Sequence, residues 1–455
     1  MIDDTIAAIA TPLGEGGLSV LRISGKDALP IAAKCFLGPK GKPVLLHLVP
    51  SHTVHYGFIE VDGRRIDEVL LTVLRAPRTF TREDVVEISC HGGLLPAQLT
   101  LEALLKCGAR TAEPGEFTKR AFLNGRIDLA QAEAVADVIH SRTELALTAA
   151  QEQLAGNLSR RIGEVRDSLM ITLAHIEAHI DFPDEDIAPA TLDKLIGRLA
   201  DAGRFIDGLL RTAREGQLLR RGIRAAIVGP PNAGKSSLLN QLLGHSRAIV
   251  SPIEGTTRDT IEETANIRGL PIVFIDTAGL RASTDLIERE GIRRSEETLA
   301  QAELILRVVD LTQPADASES EWSQRLSGRA HIVVGNKSDL PAQRESLETT
   351  STTVAVSCTT GAGIEALKDA IAQKVWGGAL KPEMLQATIN ARHQNALSRA
   401  REGLERCVEI LREAQALELA AMELRIATAA VGEVVGKTST EDLLDSIFSQ
   451  FCIGK

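Results

Sequence analysis

Short apolar runs broken by glycine and proline characterise the first part of the chain. LSVLRISG, HTVHYGFIEV, EVLLTVL and DVVEIS each have the length of one strand, and turn-forming residues separate them up to residue 118. Apolar and β-branched residues in such short windows are typical of strands. The pattern therefore predicts an N-terminal domain of α+β structure.

From Leu129 the apolar positions follow a helical repeat instead. Leu129, Ala132, Val135, Ala136 and Ile139 fall on one helix face, and similar spacing continues through SLMITLAHIEAHI to residue 219. The same periodicity returns after residue 384. Both stretches are predicted to form amphipathic helices.

Between residues 224 and 376, buried strands alternate with helical stretches. The runs RAAIVG, PIVFIDTAG, ELILRVVD, HIVVGNKSD and TTVAVSC are rich in β-branched residues. This alternation predicts a parallel sheet with crossover helices. Arg307 is out of place in a central strand, so we expect its head group to reach solvent from an edge.

These patterns predict a multidomain protein of α/β and α structure. We expect an N-terminal α+β domain at 1–118, an α/β domain at 221–378, and a helical bundle split between 119–220 and 379–455. The last piece is small for an independent core, so it should pack on the earlier helices. The α/β unit would then be an insertion in the helical domain.

Composition limits the cellular compartment and the binding partners that we expect for the protein. Of the 455 residues 44% are hydrophobic and 25% charged, and no run of 18 apolar residues occurs, so we expect no membrane contact. The acidic start MIDDTIAAIATPLGEGG is unlike a secretory signal, and the six cysteines form no CxxC pair, so we expect reduced thiols in the cytoplasm. A net charge of −10 leaves only a local basic patch to bind nucleic acid.

GPPNAGKSS, from Gly229 to Ser237, is the strongest chemical signal. It matches GxxxxGK[ST] directly after a predicted strand and before the helical SLLNQLLG. Its glycines leave backbone N–H groups open to phosphates, Lys235 is expected to meet the β- and γ-phosphates, and Ser236 to ligate Mg²⁺. The predicted nucleotide contacts are Asn232, Ala233, Gly234, Lys235, Ser236 and Ser237.

Three further motifs follow in the order expected of a Ras-like GTPase and indicate GTP. GTTRD offers Thr257 to Mg²⁺, and DTAG ends a strand as a γ-phosphate loop would. In NKSD, the Asp339 carboxylate can accept from the ring N–H and the amine of guanine, while Asn336 and Lys337 shape the pocket. The other predicted contacts are Asp276, Thr277, Ala278, Gly279, Ser357, Cys358 and Thr359.

DTAG is followed by Leu280, where Ras-like proteins carry a glutamine that orients the attacking water. Another group must therefore orient the water. The downstream candidates are Asp285, Glu288 and Glu290. No arginine finger is obvious, and a bound monovalent cation can stabilise transition-state charge in its place.

The motifs together carry a resemblance to one family. GPPNAGKSSLLN, GTTRDTIEE, DTAGLR, NKSD, PGEFTKRAFLNGRIDLAQAEAVADVI and FCIGK are similar to the MnmE (TrmE) family of tRNA modification GTPases. The resemblance extends over all three predicted regions. Its specificity lies in the combination of a GTPase inserted in helices with the FCIGK segment.

The resemblance implies a cation-dependent GTPase whose G domains meet across their nucleotide faces when GTP and K⁺ are bound. Asn232 stands at the family's K⁺-coordinating asparagine, and Glu288 matches its water-orienting glutamate. Ser251, Ile253 and Thr256 lie in the loop that completes the shell of the cation. The remaining residues of this loop with an implied contact are Pro252, Glu254 and Gly255.

The resemblance also implies a folate site where the N-terminal domains of a homodimer meet. The ligand would be a tetrahydrofolate derivative, in the 5,10-methylene or 5-formyl form, contacted by Arg22, Glu87, Arg126 and Lys455. Cys452 would lie near the one-carbon unit, where a thiolate can attack a pyrimidine carbon and activate its neighbour. The alternative for Cys452 is a thiol that packs without reacting.

The implied activity is tRNA modification together with an FAD-dependent partner resembling MnmG (GidA), in a heterotetramer or larger complex. An aminomethyl or carboxymethylaminomethyl group would be added to carbon 5 of the wobble uridine of certain tRNAs, and GTP hydrolysis would time this chemistry. Two alternatives remain. One is a ribosome-assembly GTPase switch of the Era/EngA type, and the other is a folate-dependent methyltransferase regulated by GTP.

Overall fold

The computed structural model describes residues 4–181, 189–244, 263–275, 299–314, 318–343, 352–377, 388–413, 416–438 and 440–454. Two compact units are present, one of Met1–Ala136 with Ala429–Lys455 and one of Asp137–Thr428. The predicted multidomain α/β and α class is confirmed. The boundaries 1–118, 119–220, 221–378 and 379–455 stay a prediction.

A seven-stranded sheet forms the centre of the first unit. Its strands are β1 Ile6–Ile9, β2 Leu18–Ser24, β3 Phe36–Leu37, β4 Thr53–Val61, β5 Arg64–Leu74, β6 Val85–His91 and β7 Arg110–Thr111. Their order is β3-β4-β5-β6-β2-β1-β7. Neighbouring strands are antiparallel, and only β1 and β7 run parallel.

The two faces of this sheet are covered differently. Helices α1 (Ala28–Cys35) and α2 (Leu94–Lys106) pack on one face, over a core that includes Leu21 and Ile23. Side chains alternate across a strand, so Arg22 lies on the opposite face. A smaller cluster forms there from four buried residues and the partly buried Phe80. The buried members are Ile6, Ala8, Ala112 and Phe117.

Residues 440–454 complete the first unit. Thr440 begins α14 (Glu441–Phe448), its side chain accepting from the amide of Leu443 at 3.4 Å. The ring centres of Phe448 and Phe451 are 5.6 Å apart, in a cluster with Leu129 and Ala132. The segment after α14 is therefore anchored by buried apolar contact.

Helices that precede and follow the second sheet in the sequence pack together in the second unit. Helix α3, Glu116–Leu123, belongs to the first unit, and the boundary between the units falls within α4, Leu129–His140, and within α13, Leu417–Val434. The second unit contains the helices α5 Glu144–Leu154, α6 Asn157–Asp181, α7 Pro189–Arg211, α8 Ala213–Arg221 and α12 Ala391–Glu413. Helix α12 packs along α7, and the Nε of Arg401 donates to Asp207 at 2.9 Å. Arg425 and Glu177 form a further ion pair at 2.7 Å.

The second unit contains a six-stranded sheet. Its strands are β8 Ile223–Val228, β9 Glu263–Ile267, β10 Leu270–Phe274, β11 Leu304–Asp310, β12 His331–Asn336 and β13 Thr352–Ala355, with helices α9 Lys235–Leu243, α10 Ser318–Leu326 and α11 Ile364–Trp376. The order is β13-β12-β11-β8-β10-β9. All pairs are parallel apart from β9 with β10. Parallel strands with crossover helices match the predicted α/β pattern.

The expected edge position of Arg307 is wrong. Strand β11 lies inside the sheet, and Arg307 pairs in register with Val228 on one side and Val333 on the other. Only 4% of Arg307 is exposed. Because the sheet continues through β12 to β13, an arginine in this run has no edge to reach.

Among the described residues, no helix combines the length and the apolar character that crossing a bilayer requires.

Candidate functional site

The P-loop joins β8 to α9, and its backbone takes conformations that favour glycine. The φ angles of Gly229, Asn232 and Gly234 are 145°, 62° and 93°. A Cβ on Gly234 would overlap the side-chain amide of Asn336, so the site requires glycine there. Helix α9 begins at Lys235, and the N–H groups of its first turn are oriented to bind an anion.

Lys235 folds over this loop. Its Nζ donates to the carbonyls of Gly229 at 3.0 Å and Pro230 at 2.8 Å. Burial lowers the pKa of its ammonium group. Ser236 and Ser237 are exposed on the first turn of α9, so a metal ion can approach the Ser236 hydroxyl.

Asn336 connects the P-loop and the loop around Cys358 by side-chain hydrogen bonds. It is 3% exposed, its Nδ2 donates to the carbonyl of Ala233 at 2.9 Å, and its Oδ1 accepts from the amide of Cys358 at 3.2 Å. The position of Asn336 therefore fixes the spacing between the phosphate loop and the predicted base pocket. Asp339, three residues later, is exposed and open to a ligand.

Asp310 is a site residue that the sequence reasoning missed. Its Oδ2 lies 2.6 Å from the Nζ of Lys337, and its Oδ1 accepts from the amide and hydroxyl of Thr312 at 2.9 and 2.7 Å. Burial alone would raise the pKa of Asp310, but hydrogen bonds from Lys337 and Thr312 hold that pKa below its usual value. One feature of the sequence could have identified Asp310: it stands at the carboxyl end of a predicted buried strand, and parallel sheets bind ligands at that end.

The loop of Ser357, Cys358 and Thr359 lies beside the NKSD loop. The Cys358 carbonyl accepts from Nε2 of Gln241 at 2.7 Å, and the Ser357 amide donates to the Ala362 carbonyl at 2.9 Å. Burial and the charge of Asp339 raise the pKa of the Cys358 thiol. The two loops predicted to hold guanine are thus neighbours, and Thr359 is exposed next to them.

Several predicted contacts lie outside the described residues and stay predictions. They are Ser251, Pro252, Ile253, Glu254, Gly255, Thr256, Thr257, Asp276, Thr277, Ala278, Gly279, Glu288 and Lys455.

The first unit brings three of the predicted folate contacts, Arg22, Glu87 and Arg126, into one region. Strands β2 and β6 place Arg22 opposite Glu87, and the Glu87 Oε1 accepts from Nε and Nη2 of Arg22 at 2.9 and 2.8 Å. The Arg22 guanidinium carbon is 5.9 Å from the ring centre of Phe80 and 5.7 Å from that of Phe117. Both distances are in the range of cation–π attraction.

Arg126 contacts the same ring. Its guanidinium carbon is 4.9 Å from the centre of Phe80, and its Nη1 donates to the carbonyl of Thr79 at 2.9 Å. Arg22 and Arg126, which are far apart in the sequence, therefore contact the same ring, and Glu87 is joined to them through its ion pair with Arg22. Phe80 itself was missed, because a phenylalanine in the loop PRTFTRED carries no signal of its contacts.

Cys452 lies on the same unit. Its carbonyl accepts from the amide of Gly115 at 3.4 Å, and its side chain is exposed. Gly454 has φ of 92°, and a Cβ there would be 2.5 Å from the carbonyl oxygen of Ile9. Ile9 follows Ala8 in β1, and Ala8 pairs with Arg22 of β2. The contact of Gly454 with Ile9 therefore places the 451–454 segment near Arg22.

Within the described part of the chain, no group of three or more histidine, cysteine, aspartate or glutamate side chains is placed to hold a metal ion.

Two family models match nearly the whole chain. The model of the MnmE helical domain matches residues 129–452, and the model described as GTP-binding protein TrmE N-terminus matches residues 5–126. A protein of Chloroflexus aurantiacus named tRNA modification GTPase MnmE is 49% identical over 460 residues, covering 100% of both chains. A protein of the same name from Geobacillus thermodenitrificans is 46% identical over 461 residues, covering 99% of each chain.

Proposed function

This chain belongs to the MnmE family of tRNA modification GTPases, and on that premise we propose which tRNA base it modifies and with which cofactors. The proposed reaction adds an aminomethyl or carboxymethylaminomethyl group to carbon 5 of the wobble uridine of certain tRNAs. A tetrahydrofolate derivative supplies the one-carbon unit, and a flavoprotein of the MnmG type, with FAD, supplies the redox chemistry.

One observation carries the folate proposal: Arg22 and Arg126 contact the ring of Phe80, and Glu87 is paired with Arg22. The Glu87 carboxylate can accept from the amine and the ring N–H of an aminopyrimidine, as a pterin offers. The guanidinium groups of Arg22 and Arg126 can pair with the carboxylates of a glutamate tail. This donor and acceptor set fits 5,10-methylene- or 5-formyl-tetrahydrofolate, and Lys455 is the fourth proposed contact.

Cys452 is the proposed nucleophile toward the uridine. Its exposed side chain and the anchoring of its segment on the unit that carries Arg22 support this role. A thiolate that adds to the ring would activate the neighbouring carbon toward the one-carbon unit.

The proposed GTPase site uses the four GTP motifs. Ser236 and Thr257 would ligate Mg²⁺, which neutralises phosphate charge when bound. Asn232, exposed in the P-loop, would bind K⁺ with the segment of Ser251, Ile253 and Thr256. Glu288 would orient the attacking water, and closure of the G domains around GTP would set the timing of modification.

We also propose a homodimer that works in the cytoplasm. Tyr56 and Leu70 pair directly across β4 and β5 and are 43% and 45% exposed, and Val54 on the same face is 60% exposed. The opposite face of these strands carries the buried Ile59 and Leu71. An apolar sheet face on the outside of a unit supports association with a second copy.

Titration of 5-formyl-tetrahydrofolate against the full chain tests the folate site. We expect Glu87→Gln to raise the Kd by about tenfold or more, because a hydrogen bond to a charged group contributes about 1.5–3 kcal/mol. Glu102→Gln, an exposed glutamate on α2, is the matched control and should bind as the wild type does. Equal affinities for all three proteins would refute the site, provided that thermal unfolding shows each of them folded.

A further inference from the structure

A cleft beside the proposed folate contacts joins one of them, Arg126, to two arginines that the proposed contacts do not use, Arg78 and Arg82. It has a volume of about 460 Å³, and its lining includes His52, Phe80, Arg78, Arg82 and Arg126. This volume is in the range of small-molecule sites, about 300–1,000 Å³. The cleft therefore has the size and the charge to hold part of an anionic small molecule.

The acids of the same loop do not neutralise these arginines. In PRTFTRED, Glu83 accepts from the Ser24 hydroxyl at 2.7 Å and from Nη1 of Arg120 at 3.2 Å. Asp84 accepts from the amide of Ala76 at 2.9 Å. Within the described residues, Arg78, Arg82 and Arg126 form no ion pair with a carboxylate. Their charge thus faces the cleft.

Two of the guanidinium groups are held in place. Arg82, with φ of 60°, donates from Nη1 to the Asn124 carbonyl at 2.9 Å, and Arg126 is held on the Thr79 carbonyl. Burial and the charge of Arg82 lower the pKa of Arg126, as expected for like charges held close together. An anion between them would relieve this repulsion without reorganising either side chain.

We propose that this cleft binds the γ-linked glutamate chain of a polyglutamylated tetrahydrofolate, with Arg78 and Arg82 pairing with carboxylates beyond the first glutamate. The inference rests on the proposed folate site, to which the cleft is joined by Phe80, since the ring contacts both Arg22 and Arg126. Each added γ-linked residue brings one more α-carboxylate, and arginine binds carboxylates through paired N–H donors. Three arginines gathered around one cleft of small-molecule size suit a short chain of carboxylates better than the extended phosphate backbone of an RNA.

The test compares the Kd values of mono- and pentaglutamyl tetrahydrofolate for the full chain by calorimetry. For the wild type we expect the longer ligand to bind about tenfold more tightly, as two exposed guanidinium–carboxylate pairs would give. In Arg78→Ala and in the Arg78→Ala, Arg82→Ala double variant the ratio of the two Kd values should fall toward one. Arg78 makes no hydrogen bond or ion pair with other described residues, so its loss does not threaten folding. Arg64→Ala, at an exposed arginine that begins β5, is the control and should keep the wild-type ratio.

A wild-type ratio of one, or a ratio unchanged in both variants, would overturn the tail site while leaving the folate site intact. The same conclusion follows if the variants keep their ratio but bind tRNA more weakly, because the cleft would then be an RNA contact. Failure of either ligand to bind the wild type would overturn the proposed folate site together with its tail.

Discussion

Gly234 and Asn336 meet at the point where the phosphate loop and the base loop join. The left-handed backbone of Gly234 places its Cα against the Asn336 amide, which in turn bonds the carbonyl of Ala233 and the amide of Cys358. The glycine is thus required twice, by its φ angle and by the space that Asn336 occupies.

Gly234→Ala should therefore destabilise the site by more than the free energy of an unfavourable backbone conformation alone. Positive φ alone costs a non-glycine residue about 1–3 kcal/mol, and displacement of Asn336 adds to this. Gly328→Ala is the control, because Gly328 has φ of 77° and no atom within 4 Å of its Cβ position. We expect GTP affinity, measured with a fluorescent analogue, to fall at least about tenfold in Gly234→Ala alone. Equal affinity in the two variants would show that the clash has no effect.

Glu116 is the centre of a buried ion network in the first unit. Its carboxylate accepts from Arg110 at 2.6 and 3.0 Å and from Nη2 of Arg120 at 2.9 Å, and Arg120 is 1% exposed. Burial alone would raise the pKa of Glu116, but hydrogen bonds from Arg110, the Glu113 amide and Arg120 outweigh it, so the pKa is lowered from 4.5.

This lowered pKa predicts a pH dependence of stability. The contribution of Glu116 is fully present above its unfolded pKa of 4.5 and is lost as the pH falls through the folded pKa. Glu116→Gln should destabilise the protein by about 3 kcal/mol at neutral pH, because the buried guanidinium group of Arg120 loses a charged partner. Arg110 is 43% exposed, so the loss of its pair with Glu116 adds little. The gap between the two proteins in urea midpoint should close below the unfolded pKa. A gap that stays constant into acid would exclude this role.

The segment after α14 is held by backbone packing as well as by Phe451. Gly454, at φ of 92°, has its Cα against the Ile9 carbonyl of β1. A methyl group there would displace residues 452–454 from β1, next to the strand that carries Arg22.

Gly454→Ala should accordingly weaken folate binding by about tenfold if the segment supplies proposed contacts, since a charged hydrogen bond contributes about 1.5–3 kcal/mol. Gly63→Ala is the control. Gly63 has φ of 74° and open space around its Cβ position, so this variant has the same backbone strain but no clash like that with Ile9. Equilibrium titration of both variants separates the two effects. Unchanged affinity in Gly454→Ala would remove the segment from the site.

The elements of this fold were more predictable than the contacts between them. The P-loop followed from residue spacing, and β2 and β6 from short apolar runs between turn-forming residues, because both signals depend on neighbours in the sequence. The pairing of Lys337 with Asp310 and the ring of Phe80 between two arginines depend on chain segments that only the tertiary fold brings together. The edge position predicted for Arg307 was wrong for the same reason, because the order of strands in a sheet depends on the tertiary fold and not on neighbouring residues in the sequence.

The proposed GTP cycle depends on a monovalent cation. GTP turnover should be about tenfold or more faster in K⁺ than in Na⁺, because the cation would replace the charge of an arginine finger. Glu288→Ala should lower turnover by about 10²-fold or more while GTP still binds. Asp285→Ala is the matched control on the same segment. Equal rates in the two salts would contradict the cation role.

Both proposed sites lie on one chain, and the central claim is that they serve one tRNA modification. Nucleosides from digested tRNA can be compared among a strain that lacks the gene and strains that carry the wild type, Lys235→Ala or Glu87→Gln. We expect the C5-modified wobble uridine at its full level with the wild type, and a strongly reduced level in the other three strains. An undiminished level of this nucleoside in the strain without the gene would contradict the account.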